Sequence, residues 1–219
     1  MQNPLRRWLK SLYGQQGRQA VLVKALSERD RGRVLRHFMA LDSSDRLLRF
    51  GSMLPDEQLG AYVAKLDFTN DIVFGVFNRL FQLVGVGHLA FISKAAHPDS
   101  INTTDKEKVA EFGVSVAKSA RGQGVGTRLF ERAAIHCRNV DVDTLYMQCL
   151  SSNRTMMHIA KKAGMEIKRE YGEADAHLHL PPPSPSSVLA EALEEQMAKI
   201  DYTVKANARA AFRLFTSKK

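Results

Sequence analysis

The sequence predicts an α/β chain of the α+β kind, in which strand-like and helix-like segments alternate along most of the length. Three observations carry this reading. Ile72–Phe77 and Leu83–Ile92 are rich in β-branched and aromatic residues and are separated by a short polar break, the signature of a hairpin. Residues 108–138 read as a strand, a glycine-rich turn at 119–126 and then a helix. Residues 154–163 read as a helix with a proper stop, because Lys161 and Lys162 lie in its last turn and Gly164 stands where a left-handed cap is needed.

The remaining elements follow in order. In residues 5–13, Leu5, Trp8, Leu9 and Leu12 share one helical face, a basic amphipathic pattern that suits a docking helix or a membrane surface. Residues 20–26 read as a first strand. Ser27 with Asp30 resembles a helix-start box in front of Val34, Leu35, Phe38 and Met39. Helices fit 43–50 and 56–66, the second opened by Pro55. Residues 93–107 are polar and read as a loop; strands fit 143–150, 165–171 and 175–180. After a proline-rich break at 181–185, Leu189, Leu193, Met197, Ile200, Val204, Ala208, Ala211 and Phe215 form a heptad-like stripe that calls for a partner. The expected organisation is a basic segment at 1–19, a domain at 20–180, the break at 181–185 and an amphipathic helix at 186–219. Because the break separates that helix from the core, a second subunit is the favoured partner, a homodimer through 186–219.

Composition narrows the class. At 219 residues, 44% hydrophobic and 25% charged, the chain has the size and usage of one globular domain plus an appended helix or tail. The net charge of +9 belongs to the ends: residues 1–27 and 203–219 each hold five cations and no acid, so the body is close to neutral. The excess therefore does not mark the central domain as a nucleic-acid surface. Cys137 and Cys149 lack CxxC or zinc-ligand spacing and suit a reducing compartment. No apolar run approaches the roughly 20 residues of a membrane span. A cytoplasmic location is the expectation.

The chemistry concentrates between Val109 and Thr127. In an extended strand the side chains alternate, so Phe112, Val114 and Val116 share an apolar face while Glu111, Gly113 and Ser115 share the other. Two small residues beside a carboxylate predict a shallow ligand groove. Downstream, Arg121, Gly124 and Gly126 spell Arg-x-x-Gly-x-Gly directly before a helix. Glycines permit positive φ and close backbone approach, so successive N–H groups can converge on a pyrophosphate at the positive end of the helix dipole, with Arg121 adding charge. A purely structural glycine turn is the plain alternative. The spacing matches neither a Walker loop nor a dinucleotide fingerprint.

Arg-Gly-Gln-Gly-Val-Gly after Phe-Gly-Val-Ser-Val resembles the acetyl-CoA motif of the GNAT superfamily of N-acetyltransferases. The run from Asn153 through Met156, Met157 and Ala160 to Gly164 and Met165 resembles the family's following helix, and the element order from about Val21 to Leu180 fits as well. The resemblance implies a mixed, mostly antiparallel central sheet with flanking helices. It also implies acetyl-CoA as acyl donor, without a metal. The strand at 109–116 would splay from 143–150 to admit the pantetheine arm, held by main chain near Val114, Ser115 and Val116. The diphosphate would lie on Arg121, Gly122, Gln123, Gly124, Val125, Gly126 and Thr127, with Asn153 facing the cofactor.

An amine must lose a proton before it attacks a thioester, and Glu111 on the open strand face is the candidate general base, directly or through a water. An ordinary surface carboxylate is the alternative. The spelling Glu-Phe-x-Val-x-Val resembles the protein-lysine acetyltransferase branch. That branch also often lacks the tyrosine that many members carry seven residues after the asparagine, where this chain has Ala160. The acceptor expected is a primary amine, a protein lysine or a small amine metabolite. A catalytically silent acyl-CoA-binding module is the non-enzymatic alternative. The departure at Ala160 leaves the general acid open, with His158 an outside candidate; His177 and His179 share a strand face without an evident third metal ligand.

Overall fold

The computed structural model describes residues 21–92 and 108–216. Seven strands form one sheet: β1 (Lys24–Ala25), β2 (Ile72–Phe77), β3 (Leu83–Ile92), β4 (Val109–Val116), β5 (Thr144–Leu150), β6 (Glu166–Glu170) and β7 (Glu173–His179), in the spatial order β1-β2-β3-β4-β5-β7-β6. Every neighbouring pair is antiparallel except β4 with β5. The helices are α1 (Arg31–Met39), α2 (Ser43–Phe50), α3 (Asp56–Lys65), α4 (Val125–Asn139), α5 (Arg154–Ala163) and α6 (Pro185–Thr216).

The hairpin and the helix boundaries follow local chemistry. At the β2–β3 turn, Asn78 Oδ1 accepts from the N–H groups of Leu80 and Gln82 and closes the loop. The start box forms through its acid: the Asp30 carboxylate accepts from the Ser27 N–H at 3.3 Å and leads into α1. Asp42 Oδ1 caps α2 by accepting from Asp45 N–H at 2.9 Å, and Gly51 ends it at φ 71°. Gly164, at φ 76°, stops α5 as its position predicted. The first strand is shorter than expected, with only Lys24 and Ala25 paired to β2. The helix expected at 127–138 begins two residues earlier, at Val125, because Gly124 at φ 81° is the residue that turns the chain into it. The amphipathic pattern at 5–13 and the expected loop at 93–107 lie outside the described residues.

The sheet is covered on both faces. Phe74, Leu89, Phe112, Leu145 and Met147 pack with Leu129 and Phe130 of α4 and with Met156, Met157 and Ile159 of α5, and Met165 joins the same core. Phe112 meets Phe130 edge-to-face at 5.6 Å. Full burial of such side chains stabilises the fold by roughly 1.5–3 kcal/mol each. On the opposite face Val73, Phe77 and Val86 pack with Val34 and Phe38 of α1 and with Leu59 and Val63 of α3. Gly85 leaves room for α4 and Gly87 for the Phe112 ring. A Cβ on Gly85 would lie 2.6 Å from Val125 Cγ1, and one on Gly87 3.0 Å from the Phe112 ring. The register also shifts beside Gly85: Val76 pairs with Gly85 and Phe77 with Leu83, so Val84 is the extra residue of a bulge in β3.

Helix α6 docks on its own domain through its charged face, contrary to the expectation that the prolines separate it from the core. Arg132 of α4 is buried and binds Glu191 at 2.5 Å and Glu195 at 3.2 Å, while Arg128 binds Glu194 at 2.8 Å. Burial alone would raise the Glu191 carboxyl, but hydrogen bonds from His136, Arg132 and Asn139 outweigh it and hold the pKa down to about 2. Farther along, the Tyr202 hydroxyl donates to Asp30 at 2.8 Å. The apolar stripe faces the other way, and Leu189, Leu193, Met197, Ile200 and Val204 are each more than half exposed. No described helix is long and apolar enough to cross a membrane.

Candidate functional site

The site begins where two strands part. β4 and β5 pair in parallel at Val109–Thr144, Ala110–Leu145 and Glu111–Tyr146, and not beyond. From there β4 stays bonded to β3, with Val114 opposite Gly87 and Val116 opposite Gly85, while β5 stays bonded to β7. The β5-facing main chain of residues 113–116 is therefore an open strand edge inside the protein. Buried backbone donors and acceptors require partners, so this fork is built to receive an extended, amide-bearing ligand.

A cavity of about 460 Å³ occupies the fork. One wall is Val114, Ser115 and Val116; the floor is the glycine turn with Arg121, Gly122, Gly124, Val125, Gly126 and Thr127; the far side is Asn153 and the first turns of α5. Ten of the eleven sequence-predicted binding residues thus line one space. Gln123 does not; its side chain turns back and donates to Ser119 O at 3.0 Å. Gly122 and Gly124 have φ 73° and 81°, and a Cβ on either would meet nothing within 4 Å. Glycine is needed there for conformation and not for room. The first α-helical bond runs from Arg128 N–H to Gly124 O at 3.0 Å. The N–H groups of Val125, Gly126 and Thr127 are the donors that every helix start leaves unbonded, and here they border the cleft. Together with the dipole they favour a phosphate-bearing group.

Several expected roles are modified. The Arg121 guanidinium is paired with Asp45 of α2 at 2.7 Å, and its Nε donates to Val116 O at 3.2 Å, so its charge is already matched. Asn153 lines the cleft but its Oδ1 caps α5, accepting from Met156 N–H at 3.1 Å. Ser115 turns its hydroxyl away from the cleft, 2.7 Å from His37 Nε2, leaving its main chain to the fork. The groove expected over Gly113 and Ser115 is filled, by Arg49 at the first and His37 at the second. A Cβ on Gly113 would lie 2.5–2.7 Å from the Arg49 guanidinium atoms.

Glu111 stands at the last paired position before the fork, exposed, and outside the cavity lining. Among the described residues it makes no ion pair. Beside it in register, the Tyr146 hydroxyl donates to Asp175 at 2.7 Å, and burial followed by that hydrogen bond raises its pKa. Tyr171 is fully exposed at the β6–β7 turn. His158 borders the cavity on α5. His177 stacks at a tilt on Tyr146, His179 lies 3.0 Å from Thr144 Oγ1, and among the described residues no group of three metal-ligating side chains forms.

The residues that sequence reasoning missed come from α2. Leu48 and Arg49 line the cleft, yet nothing in their local spacing announces it, since their role depends on α2 crossing β4 and β5. The one available signal was the small size of Gly113, which makes room for a neighbouring side chain.

Residues 54–165 match the model of the acetyltransferase (GNAT) family. The chain belongs to the GNAT family. Solved GNAT structures share its fold. It is similar to the GNAT domain of S. lividans PAT, with 18% identity over 72% of this chain and 89% of that one and a TM-score of 0.59. It is also similar to yncA of Salmonella typhimurium, solved with its cofactor acetyl-CoA, with 11% identity over 76% and 97% of the two chains and a TM-score of 0.54. A third similarity is to Arabidopsis thaliana NAA60 in complex with a bisubstrate analogue, with 11% identity over 75% and 100% and a TM-score of 0.56. GNAT acetyltransferases use acetyl-CoA as the acyl donor. The open strand edge and the glycine turn fit that molecule, an amide-rich arm attached to a diphosphate.

Proposed function

We propose that the chain is an N-acetyltransferase that moves an acetyl group from acetyl-CoA to a primary amine within a ternary complex. The observation that carries this is the fork itself: an unpaired strand edge leading to unbonded helix-start amides, with a carboxylate at its apex. The main chain at Val114, Ser115 and Val116 holds the pantetheine arm, and the turn from Arg121 to Thr127 holds the diphosphate, with Asn153 shaping the opposite wall. Glu111 takes the proton from the ammonium, directly or through a water; the amine nitrogen then attacks the thioester carbon, the carbon–sulfur bond breaks with its electron pair on the departing thiolate, and the nitrogen gives up its second proton to solvent or to that thiolate as the amide forms. Ala160 removes one source of a proton for that sulfur. A thiolate is a tolerable leaving group in any case, since an ordinary thiol has a pKa of about 8.5.

The acceptor proposed is a protein lysine, supported by the Glu-Phe-x-Val-x-Val spelling and by Ala160. A small amine is the second reading, favoured by the charge that α2 brings to the fork. The catalytic unit proposed is 20–180, in a cytoplasmic protein that pairs with a second copy through 186–219. Glu111→Gln tests the chemistry. Thiol release should fall about 100-fold or more, within the range of general acid–base catalysis, while acetyl-CoA binding stays within about twofold of the wild-type chain. Unchanged turnover removes Glu111 from the mechanism. A wild-type chain that binds acetyl-CoA but releases no thiol with any amine supports the silent module instead.

A further inference from the structure

The fork carries a cation that the transfer reaction as proposed does not use. Arg49 lines the cleft, and among the described residues no carboxylate pairs with it. Its Nε is buried without a hydrogen-bond partner. Nη2 donates to the Tyr62 hydroxyl at 3.2 Å, and the guanidinium lies over the Phe50 ring at 4.9 Å. A partly buried charge without a counter-ion is costly, and structures keep one where an anion completes it.

This guanidinium is held in place by a directional relay. His88 Nε2 lies 3.0 Å from Asp71 Oδ2, and His88 Nδ1 lies 3.2 Å from the Tyr62 oxygen. With its Nε2–H given to Asp71, neutral His88 accepts the Tyr62 proton at Nδ1. The tyrosine oxygen is then left to accept from Arg49. Burial first, and the Arg49 charge as well, oppose protonation of His88, which agrees with this assignment. Four side chains from α2, α3, β3 and the end of the loop before β2 thus fix one cation over Gly113, where glycine alone leaves room for it. Glu111 and Gly113 are two residues apart on one strand face, roughly 6–7 Å. A carboxylate and a guanidinium, neither of them ion-paired among the described residues, therefore stand side by side at the reacting end of the fork.

We propose that Arg49 is an acceptor-binding residue that takes a carboxylate carried close to the acceptor's reacting amine. The amine is delivered to Glu111 and the carboxylate to Arg49. This rests on the acetyl-transfer reading of the same site. The carboxylate has two sources, the acceptor's own acid group in a small amino acid or an acidic side chain next to a lysine in a peptide.

The test compares two matched pairs on the full chain: free lysine against 1,5-diaminopentane, and a capped lysine peptide with an adjacent aspartate against the same peptide with asparagine. The wild-type chain should favour the carboxylate member of one pair by about tenfold or more in kcat/KM, as for other charge-assisted contacts; the pair that responds names the source. Arg49→Gln should reduce that preference below about twofold while leaving the member without the carboxylate within about twofold of wild type. Gly113→Ala, which displaces the guanidinium without deleting it, should do the same. Equal rates within both pairs, or an Arg49→Gln loss shared by acceptors with and without the carboxylate, overturns the proposal and assigns Arg49 to the thiolate or the cofactor. Thermal shifts of the acetyl-CoA-saturated protein with the same four compounds separate the two claims. A chain that transfers to none of them yet is stabilised by one carboxylate member, through Arg49, keeps the anion site and loses the transfer reading. A chain that shows neither turnover nor such stabilisation loses the anion site as well.

Discussion

Ser115 shows how one residue can serve two faces of a strand. Its main chain borders the fork while its hydroxyl donates to His37, whose Nδ1–H donates to Leu83 O at 3.2 Å. The imidazole must be neutral for this arrangement. Burial lowers its pKa to about 4, with the Leu83 carbonyl opposing the shift and Arg49 adding to it. An ordinary histidine titrates near 6.5. Between pH 6.5 and 4 the unfolded chain therefore binds a proton that the folded chain does not, and stability falls as pH drops through that window, by about 3 kcal/mol in all. Urea midpoints measured from pH 7 to pH 4 should decline more steeply for the wild-type chain than for His37→Gln. Parallel declines would show that His37 is not held neutral.

At the scale of elements, the legible parts were those with local causes. The β2–β3 hairpin, α2 and α5 appear at their expected positions because strand periodicity, an Asp cap and a glycine stop are written within a few residues. What was not legible depends on approach in space. Gly85 and Gly113 look alike in sequence as small strand residues, yet one admits α4 and the other the Arg49 guanidinium. Nothing local distinguishes them.

Helix α6 was half legible. Its stripe was visible, but not that Glu191, Glu194 and Glu195 on the opposite face would be claimed by Arg128, Arg132 and His136. The stripe advances by 4, 4 and 3 residues, an 11-residue repeat rather than a heptad, which favours a right-handed supercoil. About Ile200 it is also complementary: Leu189, Leu193 and Met197 on one side answer Ala211, Ala208 and Val204 on the other. An antiparallel pair of copies centred on Ile200 would set large residues against small ones. Sedimentation of the full chain should give twice its 24.5 kDa mass, and Ile200→Lys should give the single-chain mass. A wild-type monomer would contradict the pairing.

Over the whole molecule, one sheet does two jobs because its single parallel pair interrupts an otherwise antiparallel arrangement. Antiparallel neighbours on each side keep β4 and β5 fully bonded along their outer edges, so the two can diverge without losing the core on either face. The glycine turn then places the start of α4 at the mouth of the gap. The most direct measurement is calorimetric titration of acetyl-CoA into the purified full chain. Saturable heat at one equivalent per chain, also given by coenzyme A itself, is the predicted result. Absence of heat for acetyl-CoA, coenzyme A and longer acyl-CoA thioesters alike would contradict the assignment of the fork.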